Sequence, residues 1–184
     1  MKTVVISAFP ACGKSYLYNN YNGQPFTMLD SDSSKFSWIY KDGVKTDERN
    51  PNFIEDYMKH IKENIGKVDV IFVSSHKEVR AALREHGIYY VQIYPEISMK
   101  DEMLRRMVER GNDEKFIKFQ EENFEKFINE IKDEIKHENV AGIALCESKP
   151  YLSSYILETL FNPLLLNLPT FVIKRWWNNP VEEA

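Results

Sequence analysis

Cysteine is scarce in this chain of 184 residues, and its two cysteines, Cys12 and Cys146, stand far apart. Neither belongs to a Cys-x-x-Cys pair or to a cluster with histidine, which argues against a disulfide framework and against a structural zinc site. We therefore interpret both as small packing residues rather than nucleophiles. Sparse cysteine is typical of a reducing compartment, so we expect a cytoplasmic protein.

Long hydrophobic runs and an excess of positive charge are also missing. No apolar stretch approaches the roughly 18 residues that a membrane span needs, and the apolar run after Met1 and Lys2 is too short for a secretory signal. The net charge is −4, so the chain lacks the basic footprint of a nucleic-acid coat protein or of a polybasic membrane binder. We expect one globular domain without a membrane partner.

Strands and helices are predicted to alternate along the chain. The strands are predicted at residues 3–9, 26–30, 68–75, 88–94 and 140–145, and the helices at residues 14–21, 51–65, 76–86, 98–110, 116–136 and 151–161. This alternation is typical of a mostly parallel sheet that helices cover on both faces. Because ligands bind beyond the carboxyl ends of such strands, the residues at those ends are the candidates for function.

The first strand ends in "AFPACGKS", residues 8–15. This matches the phosphate-loop pattern G-x-x-x-x-G-K-[ST], except that Ala8 stands at the first glycine. Such a loop directs backbone N–H groups, a lysine and a hydroxyl at a nucleotide phosphate and its Mg²⁺. We expect Ala8 to keep a negative φ and Gly13 to supply the freedom that the loop needs. The predicted nucleotide-binding residues are Pro10, Ala11, Cys12, Gly13, Lys14, Ser15 and Tyr16, with Ser15 as a metal ligand.

Acidic residues follow the second strand in "LDSDSS", residues 29–34. Asp30 and Asp32 alternate along an extended chain, so both can face the same cleft. We predict that both contact the acceptor, that one carboxylate helps to hold Mg²⁺ through water, and that the other accepts a proton from a substrate hydroxyl. The alternative interpretation is a turn rich in aspartate and serine.

Cationic residues follow the third strand and the fourth. His76, Lys77 and Arg80 come after the third strand and would suit an anionic acceptor, although His76 is equally typical of a plain helix start and Lys77 of a solvated surface. Arg106 and Arg110 lie four residues apart, hence on one helical face. They would clamp a polyphosphate; the alternative is a charged helix surface that pairs with neighbouring glutamates.

The C-terminal tail, residues 161–184, is strongly apolar, is broken by Pro163 and Pro169, and carries the basic-aromatic stretch 174–177. We expect it to pack on the domain or to form a homodimer. Docking to another protein or to a membrane surface is the alternative.

In this order the motifs resemble those of P-loop kinases that act on nucleoside monophosphates and small molecules, over residues 1–160. Arg106 and Arg110 resemble the lid arginines of adenylate-kinase-like enzymes. The stretch 30–32 resembles an element that shikimate kinases carry after their second strand, which implies that Asp30 assists Mg²⁺ and that Asp32 holds the acceptor hydroxyl. Ala8 and Ala11 replace glycines that are common in these families. The resemblance implies a three-layer α/β/α P-loop NTPase fold with a five-stranded parallel sheet of order 2-3-1-4-5 and a small helical lid near residues 98–115.

The expected function is ATP-dependent transfer of a phosphoryl group with Mg²⁺, with Lys14, Asp32, Arg106 and Arg110 as catalytic residues. The acceptor is a small molecule, and we favour a nucleotide, as in a nucleoside monophosphate kinase, over a nucleic-acid end. The alternatives are a hydroxyl kinase that acts on a nucleoside, a polynucleotide 5′ end or a modified DNA base, and a non-catalytic nucleotide-binding module that engages a partner.

Overall fold

The computed structural model describes residues 3–23, 26–31 and 33–155. The strands are β1 (Val4–Ala8), β2 (Met28–Asp30), β3 (Trp38–Lys41), β4 (Val44–Arg49), β5 (Val70–Val73), β6 (Tyr90–Pro95) and β7 (Val140–Leu145). The helices are α1 (Lys14–Tyr21), α2 (Ser34–Ser37), α3 (Phe53–Asn64), α4 (Lys77–Glu85), α5 (Lys100–Glu109) and α6 (Glu114–Glu134), with a short 3-10 helix (Ile97–Met99) before α5.

Five strands form one parallel sheet in the order β2-β5-β1-β6-β7. Counted within this sheet alone, the order is 2-3-1-4-5, so the predicted fold is confirmed. Since β1 lies in the middle, the loop after β1 comes at the centre of the carboxyl edge. The segments after β2 and β5 lie on one side of that loop, and the segments after β6 and β7 lie on the other.

The core has two parts, one on each face of the sheet. Alternate residues of a strand point to opposite faces, and in β1 Ile6 belongs to one cluster while Val5 belongs to the other. Leu17 of α1 packs in the first cluster, and Leu83 of α4 packs in the second. Apolar strands that are covered in this way on both faces give the three-layer arrangement that the alternation predicted.

The predicted lid, residues 98–115, corresponds mainly to α5 and the start of α6. Met99, Met103 and Met107 of this segment are buried in the main core. The segment is therefore anchored to the sheet along one face of α5, and its exposed end lies at the turn into α6.

Of the predicted C-terminal helix, residues 151–161, the structure describes only the beginning. Residues 152–155 are helical, whereas the tail 161–184 and the predicted domain end at residue 160 lie outside the described residues. In the part of the chain that the structure describes, no helix has the length and apolar character of a membrane span.

A hairpin that the sequence analysis did not predict lies between α2 and α3. Its antiparallel strands, β3 and β4, are joined by Asp42 and Gly43, whose φ angles are 52° and 78°. Positive φ at both residues is typical of the Asp-Gly turn, which was the available signal. The hairpin strands are largely exposed, so neither strand carries the apolar alternation by which half-buried strands are found.

A buried tyrosine joins the carboxyl ends of β2 and β5. Tyr57 of α3 is fully buried, and its hydroxyl donates to the carbonyl of Ser31 at 2.6 Å and accepts from the N–H of Ser74 at 3.1 Å. The hydroxyl thereby fixes the two strand ends relative to each other, beyond the last pair of the β2–β5 ladder.

We expect Tyr57→Phe to lower the free energy of unfolding by about 1–3 kcal/mol, because two backbone groups lose a partner where water cannot easily replace it. Urea denaturation would measure the change. Tyr40→Phe is the matched control, since the Tyr40 side chain is exposed, and it should change stability little. Equal effects of the two variants would contradict the role of the Tyr57 hydroxyl.

Candidate active site

An open cavity of about 550 Å³ lies at the carboxyl edge of the sheet. It collects residues from the loop after β1, from the ends of β2 and β5, and from the segments after β6 and β7. Of the predicted site residues, the cavity brings together Pro10, Ala11, Cys12, Gly13, Lys14, Ser15, Tyr16, His76, Arg106 and Arg110.

The loop after β1 leads into a helix start that is open to a ligand. Gly13 precedes α1 with a φ of 99°, as expected of the residue that gives the loop its freedom, and none of the described side chains caps it. The first N–H groups of a helix lack partners inside the helix. The N–H groups of Lys14, Ser15 and Tyr16 therefore lie at the cavity wall, where they can bind an anion.

The two alanines of the loop differ in backbone conformation. Ala8 ends β1 in extended conformation, paired with Ile93 of β6, so the expectation of a negative φ is confirmed. Ala11 has a φ of 64°, which is a left-handed conformation that costs an L-residue about 1–2 kcal/mol. Of the two alanines that replace loop glycines, Ala11 is therefore the one whose backbone is strained.

Packing on both sides holds the loop in this conformation. The ring of Phe9 meets the ring of Phe124 edge to face, with centroids 5.6 Å apart. The Cys12 side chain is buried, and its carbonyl accepts a hydrogen bond from the N–H of Leu152 at 3.0 Å. Burial raises the pKa of the Cys12 thiol, so Cys12 contributes packing and backbone groups rather than a thiolate.

Lys14 is bound to the acidic residue at the end of β2. Its Nζ lies 2.6 Å from Oδ1 of Asp30, and each side chain is about one-quarter exposed. Ser15 is exposed at the cavity. Asp30 is therefore engaged by the lysine, and it is not among the described residues that line the cavity. Asp32, the predicted proton acceptor, lies outside the described residues.

Arg106 is the most constrained cation of the cavity. It is 8% exposed, its Nε donates to Glu102, its Nη1 donates to the carbonyl of Pro150, and its guanidinium lies over the ring of Tyr151. Its Nη2 is buried without a hydrogen-bond partner among the described residues. A buried donor without an acceptor lowers the stability of the fold, unless a ligand supplies the acceptor.

Glu102 keeps its charge beside this arginine. Hydrogen bonds from Arg105 and Arg106 lower the pKa of Glu102 to about 2. The carboxylate therefore fixes the orientation of the Arg106 guanidinium throughout the physiological pH range.

Arg110 ends α5 at the cavity, is exposed, and forms no ion pair with any described residue. Three further residues on this side were not predicted, namely Asn112, Phe116 and Tyr151. Tyr151 follows β7, so its position beyond the carboxyl end of a strand was a signal that the sequence offered.

Arg80, which follows β5, is bound by groups of the protein itself. Arg80 is buried, and its Nε and Nη2 lie 2.7 and 3.0 Å from the carboxylate of Glu134, while its Nη1 donates to the carbonyl of Ser75. Burial opposes ionisation of Glu134, but its bonds with Arg80 and Arg84 prevail and lower its pKa. Arg80 is thus a structural link between α4 and α6.

Lys77 is exposed, and its Nζ lies 3.3 Å from Glu130 of α6. Neither Lys77 nor Arg80 is among the described residues that line the cavity, so His76 alone of the three predicted cations reaches it. The predicted acceptor roles of Lys77 and Arg80 therefore receive no support from their positions.

Comparison with known proteins assigns no function to these residues. No protein-family model matches the chain, and no curated protein matches it in sequence. A functional conclusion therefore depends on the geometry of the cavity.

We expect Ala11→Gly to stabilise the protein by about 0.5–1 kcal/mol, because relief of the left-handed strain exceeds the entropy that glycine adds to the unfolded chain. Ala8→Gly is the matched control in the same loop, and it should destabilise by about 0.5–1 kcal/mol, since Ala8 lies in a strand. Urea denaturation of both variants would measure the difference. Two changes of the same sign would show that Ala11 is not strained.

Proposed function

We propose that this protein is an ATP-dependent phosphotransferase. The observation that carries the proposal is the convergence of three sets of donors on one cavity: the uncapped start of α1, the ammonium of Lys14, and the buried unpartnered Nη2 of Arg106. Together they fit a polyanion with several phosphate groups, because each set satisfies a different oxygen.

The strand order supports one orientation of the nucleotide. Tyr151 and Phe116 line the cavity on the β6–β7 side, next to Arg106. Aromatic faces suit a base, so we place the base there and the triphosphate along the loop after β1. The γ-phosphate then points toward the side of the cavity where β2 and β5 end.

The residues present fit Mg²⁺ bound together with the nucleotide. Magnesium in such sites is held by phosphates, water and few protein groups, and the described residues contain no cluster of three or more metal-binding side chains. The Ser15 hydroxyl would hold the ion directly, and Asp30 would hold it through water. When bound, Mg²⁺ neutralises charge on the phosphate oxygens.

Lys14 must exchange partners for this role. In the structure Asp30 holds its ammonium at 2.6 Å, so the lysine is oriented beside the loop. We infer that it turns from Asp30 to the phosphates when the nucleotide binds, which frees the Asp30 carboxylate. Arg106 and Arg110 stabilise the charge that spreads over the transferring phosphoryl group, so catalysis rests on positioning and electrostatics.

Arg106→Lys should lower kcat/KM for ATP turnover by about 10- to 100-fold, since a lysine keeps the charge but loses the donor geometry of Nη2, and one hydrogen bond to a charged group contributes about 1.5–3 kcal/mol. A coupled assay of ADP formation would measure it. Arg105→Lys is the matched control on the same helix, because Arg105 is exposed and pairs with Glu102 and Glu109. A similar loss in both variants would contradict the proposed role of Arg106.

Lys14→Ala should abolish phosphoryl transfer, because the ammonium that binds the β- and γ-phosphates is removed. Calorimetric titration with ATP and Mg²⁺ would report binding separately from turnover. Lys67→Ala is the control, since Lys67 is exposed just before β5, at the opposite end of that strand from the cavity. Failure of the unaltered protein to bind any nucleoside triphosphate would overturn the proposal, whereas binding without transfer to any acceptor would favour a non-catalytic nucleotide-binding module.

A further inference from the structure

The two ends of the cavity differ in charge. Of the described residues that line it, those with a permanent positive charge are Lys14, Arg106 and Arg110. They come from α1 at the centre and from the helix after β6. The other end, formed after β2 and β5, is lined by hydroxyl groups and one imidazole: Ser31, Ser33, Ser34, Ser74, Ser75 and His76.

The cations that follow β5 are neutralised by carboxylates. Arg80 is 5% exposed and makes a two-pronged ion pair with Glu134, and Lys77 pairs with Glu130. The start of α4 carries Glu78 in its first turn. Lys35 of α2 is exposed next to Ser34, but it is not among the described residues that line the cavity. The hydroxyl end therefore offers no permanent cation from the described residues to a second phosphate group.

Ser31 contributes a buried hydroxyl to this end of the cavity. It is 3% exposed, and its Oγ has no hydrogen-bond partner in the part of the chain that the structure describes. Its position is fixed, because its N–H donates to the carbonyl of Phe72 and its carbonyl accepts from Tyr57. A rigid hydroxyl that both donates and accepts is suited to another hydroxyl group on a ligand.

We propose that the hydroxyl end binds the phosphoryl acceptor, and that this acceptor is a small uncharged molecule with an alcohol group, such as a nucleoside or a sugar. The inference rests on the proposed function. An acceptor phosphate would carry about two negative charges into a site that has no cation of its own among the described residues. Removing a charge from water without a partner is strongly unfavourable in free energy.

The transfer to such an acceptor forms a phosphate ester. A lone pair of the acceptor's hydroxyl oxygen forms a bond to the γ-phosphorus of ATP. The bond from that phosphorus to the β,γ-bridging oxygen breaks, and its electron pair leaves with ADP. The hydroxyl proton is transferred to an oxygen of the phosphoryl group and stays on the phosphate ester.

A transfer assay with γ-labelled ATP tests the inference on the unaltered protein. The acceptors are nucleosides, neutral sugars, nucleoside monophosphates and an oligonucleotide with a free 5′ hydroxyl, and each product is treated with hot acid. We expect label on a nucleoside or sugar in an acid-stable ester. Label in an acid-labile anhydride on a nucleoside monophosphate, or label on the oligonucleotide alone, would overturn the inference and leave the proposed function intact. ATP binding without any transfer would overturn both.

A pair of serine variants tests the position of the acceptor. Ser31→Ala should raise the KM for the acceptor about fivefold and leave the KM for ATP unchanged, because one neutral hydrogen bond is lost. Ser37→Ala is the matched control, since Ser37 is also buried but donates to the carbonyl of Ser33 and does not line the cavity. A change in the KM for ATP with Ser31→Ala, or equal effects of the two variants, would place the acceptor elsewhere.

Discussion

Parallel pairing of β1 with β5 on one side and with β6 on the other is the constraint on which the site depends. It brings the carboxyl ends of the strands to one edge and puts the loop after β1 at its centre. The same order separates the segments after β2 and β5 from the segments after β6 and β7. The difference in charge between the two ends of the cavity is therefore a consequence of topology, since each end takes its side chains from a different pair of strands.

Burial then decides what each arginine can do. Arg80 and Arg106 are both buried and both pair with a carboxylate. Arg80 uses both sides of its guanidinium on Glu134 and a carbonyl, and it links α4 to α6. Arg106 leaves Nη2 without a partner among the described residues at the cavity wall. The same residue type thus stabilises the fold in one place and leaves a donor for a ligand in the other, because only the second has a buried hydrogen-bonding group that the described protein does not satisfy.

The loop after β1 and Lys14 are held in place by contacts within the protein. Phe9, Cys12 and the N–H of Leu152 hold the loop from two sides, which allows Ala11 to keep a left-handed conformation that an isolated chain would avoid. Asp30 orients Lys14 beside the loop. In the proposed phosphoryl transfer the backbone of the loop would be preorganised, and the lysine would exchange Asp30 for the phosphates.

Local features could be predicted from the sequence: the alternation of elements, the bounds of α1 and β7, and the loop that ends in Lys14 and Ser15. These features come from periodicity, glycine positions and a contiguous motif, which act over a few residues. The contact of Arg80 with Glu134, 54 residues away, and the link that Tyr57 makes between two strand ends depend on tertiary packing. The exposed hairpin of β3 and β4 could not be predicted from apolar periodicity, because strands without a buried face have no apolar pattern. Which charges remain available at the cavity depends on the packing of distant helices, and no local pattern contains that information.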